Sequence, residues 1–300
     1  MSASLRRLLP VFLVSVLLAP VLLFSIPMAG IQTAAAQNRP NATSSYPGTL
    51  ILAGGGPLAG TGILETFIER GGGAENGRFV IVPTAGGNYT RDGNVRVFNE
   101  DEVLAPWRAL GLRHVRMLHT HAREIANSDD FVEVVDDATA LWFTGGRQWN
   151  IVDSYAGTRT LEAFHGLLVR GGVIGGSSAG ATIQGTYLVR GDTEGSDIVM
   201  TDEPNHMYGF DFLPGTAVDQ HIDTRGRWDD LIPVIEAHPN LLGIGLSEST
   251  AIVVEDGALE VIGRYMVTIH DNRRVYLPWE KPYFVLAPGM KYDLTTQNNM

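Results

Sequence analysis

The sequence predicts an α/β fold built on a mostly parallel, doubly wound sheet. Three observations carry this. From Thr49 onward, short apolar runs alternate with longer amphipathic stretches. Four of the apolar runs lead into glycine clusters, at 54–56, 86–87, 145–146 and 175–176. The fourth, Leu167 to Ile174, runs into Gly175-Gly176-Ser177-Ser178-Ala179-Gly180-Ala181, small residues that suit a tight strand-to-helix turn. Buried parallel strands read as unbroken apolar runs, with crossover helices covering both faces. In such sheets a ligand site lies beyond the C-terminal strand ends, which is where the glycines gather.

Taken in order, Thr49 to Ala53 is a strand closed by Gly54-Gly55-Gly56, and a helix with Ile63, Phe67 and Ile68 on one face stops at Gly71-Gly72-Gly73. Phe79 to Val82 is a second buried strand, ending in Pro83-Thr84-Ala85-Gly86-Gly87. A helix over Glu100 to Leu110 leads to the strand Val115 to Leu118, and a helix over Arg123 to Val135 leads to the strand Thr139 to Phe143. Thr144-Gly145-Gly146-Arg147-Gln148 precedes a helix containing Ile151 and Tyr155, and the helix Thr160 to Val169 feeds the serine strand. Residues 190–206 are polar and acidic and read as a loop rimming the site. The strand Leu213 to Val218 runs into Asp219-Gln220-His221-Ile222-Asp223-Thr224-Arg225-Gly226-Arg227, followed by a helix over Trp228 to Ala237. Leu242 to Leu246 is a strand ended by Ser247-Glu248-Ser249-Thr250. Ala251 to Val254 and Leu259 to Ile262 flank Glu255-Asp256-Gly257, a hairpin signal. Residues 271–300 read as a C-terminal extension of short strands and loops.

Composition narrows the function. Hydrophobic residues at 44% and charged residues at 18% describe a globular chain. A formal net charge of −11 argues against nucleic acid or an anionic membrane as partner and favours a cationic substrate. The chain has no cysteine, which excludes disulfides and a thiol nucleophile. Arg6 and Arg7, an apolar stretch from Leu8 to Met28 broken by Pro10, Pro20 and Pro27, and Ala34-Ala35-Ala36 fit an export signal over 1–36, cleaved near Ala36, the alternative being an uncleaved membrane anchor, since the apolar stretch is near spanning length. The mature protein is then expected in a periplasmic or extracellular compartment. Residues 37–47 read as a polar linker and 48–300 as a single catalytic domain.

Gly176-x-Ser178-x-Gly180 fits the nucleophile-elbow pattern, in which a serine sits on a strained strand-to-helix turn. The helix N-terminus after it offers free N–H groups, so the Ala179 amide, with Gly146 from a neighbouring strand end, would form an oxyanion hole. A serine needs a base, and the base an orienting acid. His221, after an apolar strand and among polar residues, has the best context of the eight histidines. His270 is its rival, because an α/β-hydrolase esterase places its histidine late in the chain. The acid is Glu248, at a strand end, or Glu194 with its neighbour Asp197 in the acidic loop. His119 and His121 could ligate a metal from one strand face, but no third ligand is obvious, so no metal is expected. Gly54-Gly55-Gly56 lacks the Gly-x-Gly-x-x-Gly spacing, so no nucleotide cofactor is expected.

Four motifs occur in the order of a known family: Phe-Thr-Gly-Gly-x-Gln (143–148), Gly-Ser-Ser-Ala-Gly-Ala (176–181), Asp-Gln-His (219–221) with Arg225 and Arg227, and Gly-x-Ser-Glu-Ser-Thr-Ala (245–251). From about residue 48 to 263 the chain resembles the S51 serine peptidases, which include cyanophycinase and aspartyl dipeptidase (peptidase E). The resemblance implies a flavodoxin-like, class I glutamine amidotransferase-like three-layer sandwich. It implies Ser178 as nucleophile and His221 as base, with the acid at Glu248 or around Glu194. It maps a substrate pocket onto Gln148, Asp219, Gln220, Arg225 and Arg227, and the Asp-Gln-His-x-x-x-Arg-x-Arg run is closer to cyanophycinase than to peptidase E. Departures are Ser177 for the usual threonine, Arg147 where the family often has Asp or Asn, and Ser247 for a usual aspartate. The implied activity is a serine exopeptidase hydrolysing β-aspartyl-arginine linkages of cyanophycin or related isoaspartyl peptides, without a cofactor; the alternatives are an α/β-hydrolase-type esterase using His270 and a non-catalytic binding protein with an amidotransferase-like pocket. The sequence leaves the oligomeric state open, a homodimer being among the states it admits.

Overall fold

The computed structural model describes residues 46–296 together with 298 and 299. The export signal expected over 1–36 and nearly all of the linker over 37–47 lie outside the described residues. In chain order the elements begin with β1 (Thr49–Ala53), α1 (Ile63–Arg70), α2 (Gly73–Asn76), β2 (Arg78–Val82), α3 (Glu100–Ala109) and β3 (His114–Met117). Next come α4 (Arg123–Ala126), α5 (Asp129–Asp136), β4 (Ala140–Phe143), α6 (Gln148–Tyr155), α7 (Arg159–Val169), β5 (Val173–Ser177), α8 (Ala179–Thr182) and β6 (Gly185–Tyr187). The last are β7 (Leu213–Gln220), α9 (Leu231–Ala237), β8 (Leu242–Leu246), β9 (Thr250–Glu255), β10 (Ala258–Gly263), β11 (Val267–His270), β12 (Phe284–Leu286), β13 (Lys291–Asp293) and β14 (Asn298–Asn299).

The strands form two sheets. The larger has the order β14-β13-β10-β9-β1-β5-β4-β2-β3, the smaller β12-β11-β8-β7-β6. In the larger sheet β1, β5, β4, β2 and β3 run parallel, and β9, β10, β13 and β14 extend it antiparallel beyond β1. In the smaller sheet β6, β7 and β8 are parallel and β11 and β12 antiparallel. The three-layer α/β fold is as expected. The division into two sheets is not visible in the apolar pattern, because buried strands of either sheet read alike.

The strand period of two decides which layer each residue joins. Ile51, Ala53, Phe79, Ile81 and Trp142 face α1 and α3, packing on Ile63, Phe67, Leu104 and Trp107. Leu50, Leu52, Val80, Val82, Leu141, Phe143 and Ile174 face the other way. They pack on Val135 of α5, Tyr155 of α6 and Phe164 and Leu167 of α7, and the same cluster takes in Val218, Ile244 and Leu246 of the smaller sheet.

Two elements depart from their sequence reading for local reasons. The helix expected over 123–135 is broken into α4 and α5 at Asn127-Ser128, where the Ser128 hydroxyl donates to the Ile125 carbonyl at 2.8 Å. Both residue types favour helix ends over interiors. The helix expected from Trp228 begins at Leu231, and Pro233 falls in its first turn, where a missing N–H costs nothing.

Candidate active site

The site forms where the C-terminal ends of β1, β5, β7 and β8 meet. β5 delivers Ser178 one residue past its last strand position, with φ 57° and ψ −116°. A non-glycine residue with positive φ is costly and is kept only where its surroundings force it. Of the six such residues among those described, three belong to this site: Ser178, His221 and Ser249, at φ 57°, 56° and 55°.

Three consecutive carbonyls of the β1 end hold these three turns. Ala53 accepts from the Ser178 amide at 2.9 Å, Gly54 from His221 at 3.0 Å and Gly55 from Ser249 at 2.8 Å. Gly54-Gly55-Gly56 is therefore the hub of the site. A Cβ on Gly55, at φ 108°, would run into the His221 imidazole, and one on Gly56 would strike the Glu248 carboxylate. This role went unread in the sequence, although a glycine triplet closing the first strand was its signal. At the elbow the same logic applies, since a Cβ on Gly176 would overlap the Gly180 backbone.

Ser178 Oγ lies 2.9 Å from His221 Nε2, and His221 Nδ1 lies 2.6 Å from Glu248 Oε1. A carboxylate only accepts, so Nδ1 carries the proton and Nε2 is left to accept from the serine hydroxyl. Thr224 donates to the same Glu248 oxygen at 3.0 Å, and the Glu248 amide donates to Asp223 at 2.9 Å. β7 and β8 are paired in register, Gln220 opposite Leu246, which sets the two residues side by side. Burial pulls the His221 pKa below its ordinary value, and Arg225 and Arg227 pull the same way; the hydrogen bond to Glu248 pulls back without cancelling them. Glu248 lies low: burial raises it, but the hydrogen bonds from His221 and Thr224 outweigh burial.

Gly145 and Gly146 sit beside the hydroxyl, a Cβ on Gly145 falling 3.3 Å from Ser178 Cβ. The Ala179 and Gly146 amides have no acceptor among the described residues. They are free to donate to a developing oxyanion.

The other sequence candidates divide. Glu194 is exposed, its amide donates to Asp192 at 2.8 Å, and its carboxylate does not bond to His221. The surrounding loop points its acids elsewhere, Asp192 to the Thr201 hydroxyl and Glu203 to His206. His270 is not part of the site either. It is buried at the end of β11, opposite Gly243, with Nε2 3.2 Å from the Thr268 hydroxyl, and burial pulls its pKa down to about 4. A histidine there cannot serve Ser178, which removes the esterase alternative. His119 pairs with the Thr84 hydroxyl at 2.9 Å, and burial pulls it down to about 4. No metal-binding cluster occurs among the described residues.

Of the pocket residues, Gln148 is buried and donates to the carbonyls of Val189 and Arg190 at 2.6 and 2.8 Å, so it holds the 189–190 backbone. Asp219 is fully buried in an ion pair with Arg190 at 2.9 Å. Gln220 is buried, and its main-chain amide donates to Asp219 at 2.9 Å. Arg227 is buried and Arg225 exposed, both on the turn after His221.

A serine on a strand-to-helix turn, joined to a histidine and a carboxylate in a three-layer α/β fold, defines the serine-hydrolase class of site. The chain belongs to peptidase family S51, whose model matches residues 50–262, and it is a serine-type peptidase of the cyanophycinase-like kind. It is 32% identical over 241 residues to the cyanophycinase of Nostoc sp. (strain PCC 7120), covering 74% of each chain. It is 31% identical over 223 residues to the cyanophycinase of Geminocystis herdmanii, covering 71% of this chain and 76% of that one. Among solved structures, a peptidase from an acI-B1 Actinobacterium superposes with a TM-score of 0.62 at 23% identity, over 84% of this chain and 98% of the other. A putative peptidase E from Listeria monocytogenes gives 0.51 at 15% identity, over 73% and 99%. At these identities the two structures speak to the fold.

Proposed function

We propose that the protein is an exported serine exopeptidase acting on the β-aspartyl-arginine units of cyanophycin or on a related isoaspartyl peptide. The observation that carries this reading is the relay from Ser178 Oγ through His221 to Glu248, at 2.9 and 2.6 Å. Ser178 attacks the scissile carbonyl while His221 Nε2 takes the hydroxyl proton. Glu248 offsets the charge on the imidazolium and fixes its tautomer. The Ala179 and Gly146 amides donate to the oxyanion. His221 then protonates the leaving amine, and a water activated by the same nitrogen releases the acid product and restores Ser178. Arg225 and Arg227 bind substrate carboxylates through paired N–H donors.

Export belongs to the same reading. Arg6-Arg7, the apolar stretch and Ala34-Ala35-Ala36 support it, and a polymer too large to import gives an exported peptidase its use. The relatives bear the name cyanophycinase, which is the reason for naming that polymer first.

The test is to incubate the purified protein with cyanophycin and with isoaspartyl peptides and follow released dipeptide or amino acid, beside a fluorophosphonate probe for Ser178. Product release together with labelling that is lost in S178A is expected. Labelling without release from any of these substrates would remove the isoaspartyl assignment, and no labelling of folded protein would remove the nucleophile.

A further inference from the structure

The two oxyanion donors are placed by different means. The Ala179 amide follows Ser178 directly, so the turn that aims the hydroxyl also aims this amide. The Gly146 amide comes from another strand end, and neither Gly145 nor Gly146 has a side chain to hold it. What locates it is the Ala85 carbonyl. The Arg147 amide donates to that oxygen at 2.7 Å, and a Cβ added to Gly146 would fall 2.0 Å from it. Backbones packed this closely move together.

Ala85 sits in a single tight turn, Thr84–Gly86, just past the end of β2. Two backbone bonds close the turn, Gly86 to Pro83 at 2.9 Å and Gly87 to Thr84 at 3.0 Å. The Thr84 side chain ties it to the core. Thr84 is fully buried, with Oγ1 2.8 Å from the Tyr155 hydroxyl and 2.9 Å from His119 Nδ1. The directions of these bonds follow from the inventory of protons. Tyr155 is fully buried and accepts from the Thr120 amide at 3.4 Å, so among the described residues its own proton has Thr84 Oγ1 as acceptor. Thr84 has one proton and gives it to Nδ1 of a neutral His119, whose pKa burial pulls down to about 4. Removing the Thr84 hydroxyl leaves the Tyr155 donor and the His119 acceptor without this partner, in the interior. Tyr155 ends α6, the helix that begins directly after Arg147. The same helix takes a second tie from Asn88, whose Nδ2 donates to the Ser154 hydroxyl at 3.0 Å. The contacts thus close a ring from Gly146 through Arg147, α6, Tyr155, Thr84 and Ala85 back to Gly146.

We propose that Thr84 is a positioning residue of the oxyanion hole: through the Ala85 carbonyl it fixes the Gly146 amide beside the Ser178 hydroxyl, and it acts without touching substrate. This rests on the serine-peptidase reading above, with Gly146 as the second donor. Thr84 lies outside all four sequence motifs of the site. Its hydroxyl serves a donor that works only as negative charge develops, so its loss falls on the chemical step and not on binding.

The experiment follows phosphonylation of Ser178 by a fluorophosphonate in the full chain, which needs no knowledge of the substrate. As the Oγ–P bond forms and fluoride leaves, the phosphonyl oxygen takes the place of the oxyanion. Thr84→Val keeps the size of the side chain and removes the hydroxyl, and Thr84→Ser keeps the hydroxyl. In T84V kinact should fall about 10- to 100-fold, less than outright loss of a donor, with KI within about threefold. The acid limb of its pH profile, which His221 sets, should not move, and T84S should retain most of the wild-type rate. A merely structural role would not spare KI and the acid limb while lowering kinact. A fall of less than tenfold in folded T84V overturns the proposal. So does a T84S as slow as T84V, or a shifted acid limb, which would place the effect on His221. If T84V does not fold, Tyr155→Phe, which leaves Thr84 in place and removes its donor, is held to the same tenfold criterion. No labelling of the folded wild-type chain overturns instead the serine-peptidase reading on which the proposal stands.

Discussion

His221 and His206 are both held by carboxylates, and their partners give them opposite protonation. His221 faces one carboxylate and one hydroxyl, so a single ring proton satisfies it. His206 has a carboxylate at each ring nitrogen, Glu203 at 2.7 Å and Asp153 at 2.8 Å, so both nitrogens must donate and the ring is cationic. The low His221 pKa keeps it a base in mildly acidic solution, and the acid limb of kcat/KM is expected below the ordinary histidine value of 6.5. Arg225 is among the causes of that depression, so R225Q should move the limb to higher pH, read from a pH profile of kcat/KM. S178A should lower kcat by roughly 10^4-fold or more, and E248Q by roughly 10^2- to 10^4-fold, with unchanged circular dichroism. For His206 burial lowers the pKa, but the hydrogen bonds to Asp153 and Glu203 raise it further, for a net rise. Its stabilising contribution is therefore full below 6.5 and fades as pH rises through the raised value. Glu203, held near 2 first by the Thr193 hydroxyl and then by His206, contributes above 4.5 and fades as pH falls toward 2. The clamp on the 190–206 loop is thus complete between about pH 4.5 and 6.5, and the urea midpoint lost in H206Q should be larger at pH 5.5 than at pH 8.5.

At the scale of elements, the β1 end and the elbow use glycine for different purposes, and substitutions should separate them. Gly55→Ala places a methyl against the imidazole at a backbone of φ 108°. Its stability cost should be roughly 1–2 kcal/mol, while kcat/KM should fall at least about a hundredfold as His221 is displaced. Gly176→Ala forces β5 away from α8, backbone against backbone, and should cost about 3 kcal/mol or more, seen as a drop in urea midpoint with activity lost only as fold is lost. The elbow was legible in the sequence because a serine among five small residues after an apolar run has few other uses. His221 and Glu248 were legible as candidates because each stands just past a mostly apolar strand, β7 and β8. The choice between Glu248 and Glu194 was not legible, since it depends on β7 and β8 being neighbours, which no local pattern encodes. Arg190 was not legible as the partner of Asp219 either; in the sequence it is one charge in a polar loop, and only the fold brings it to Asp219 and Asp230.

At the scale of the whole molecule, the C-terminal segment is the part whose sequence said least and whose fold says most. It was readable only as short strands and loops, because two- and three-residue strands carry no periodicity. In the fold, β12 closes the smaller sheet against β11, and β13 extends the larger one against β10, so one segment ties both sheets. Leu286, Tyr292 and Leu294 are buried with it, and Tyr292 donates to Asp271 at 3.4 Å. Burying each large apolar side chain contributes about 1.5–3 kcal/mol, so these three together contribute roughly 5 kcal/mol or more. That matches the lower end of total stability for a domain, about 5–15 kcal/mol. Removing the segment would also uncover Leu259, Val261, Val267 and Ile269 of β10 and β11, all now fully buried. A chain stopped after Tyr283 is therefore expected to be insoluble, or to unfold without a cooperative transition, although Ser178, His221 and Glu248 are all retained. Urea denaturation of the two chains, followed by circular dichroism and by residual peptidase activity, measures this. A stopped chain that unfolds at the full-length midpoint would mean that the two sheets hold together without the segment that joins their outer strands.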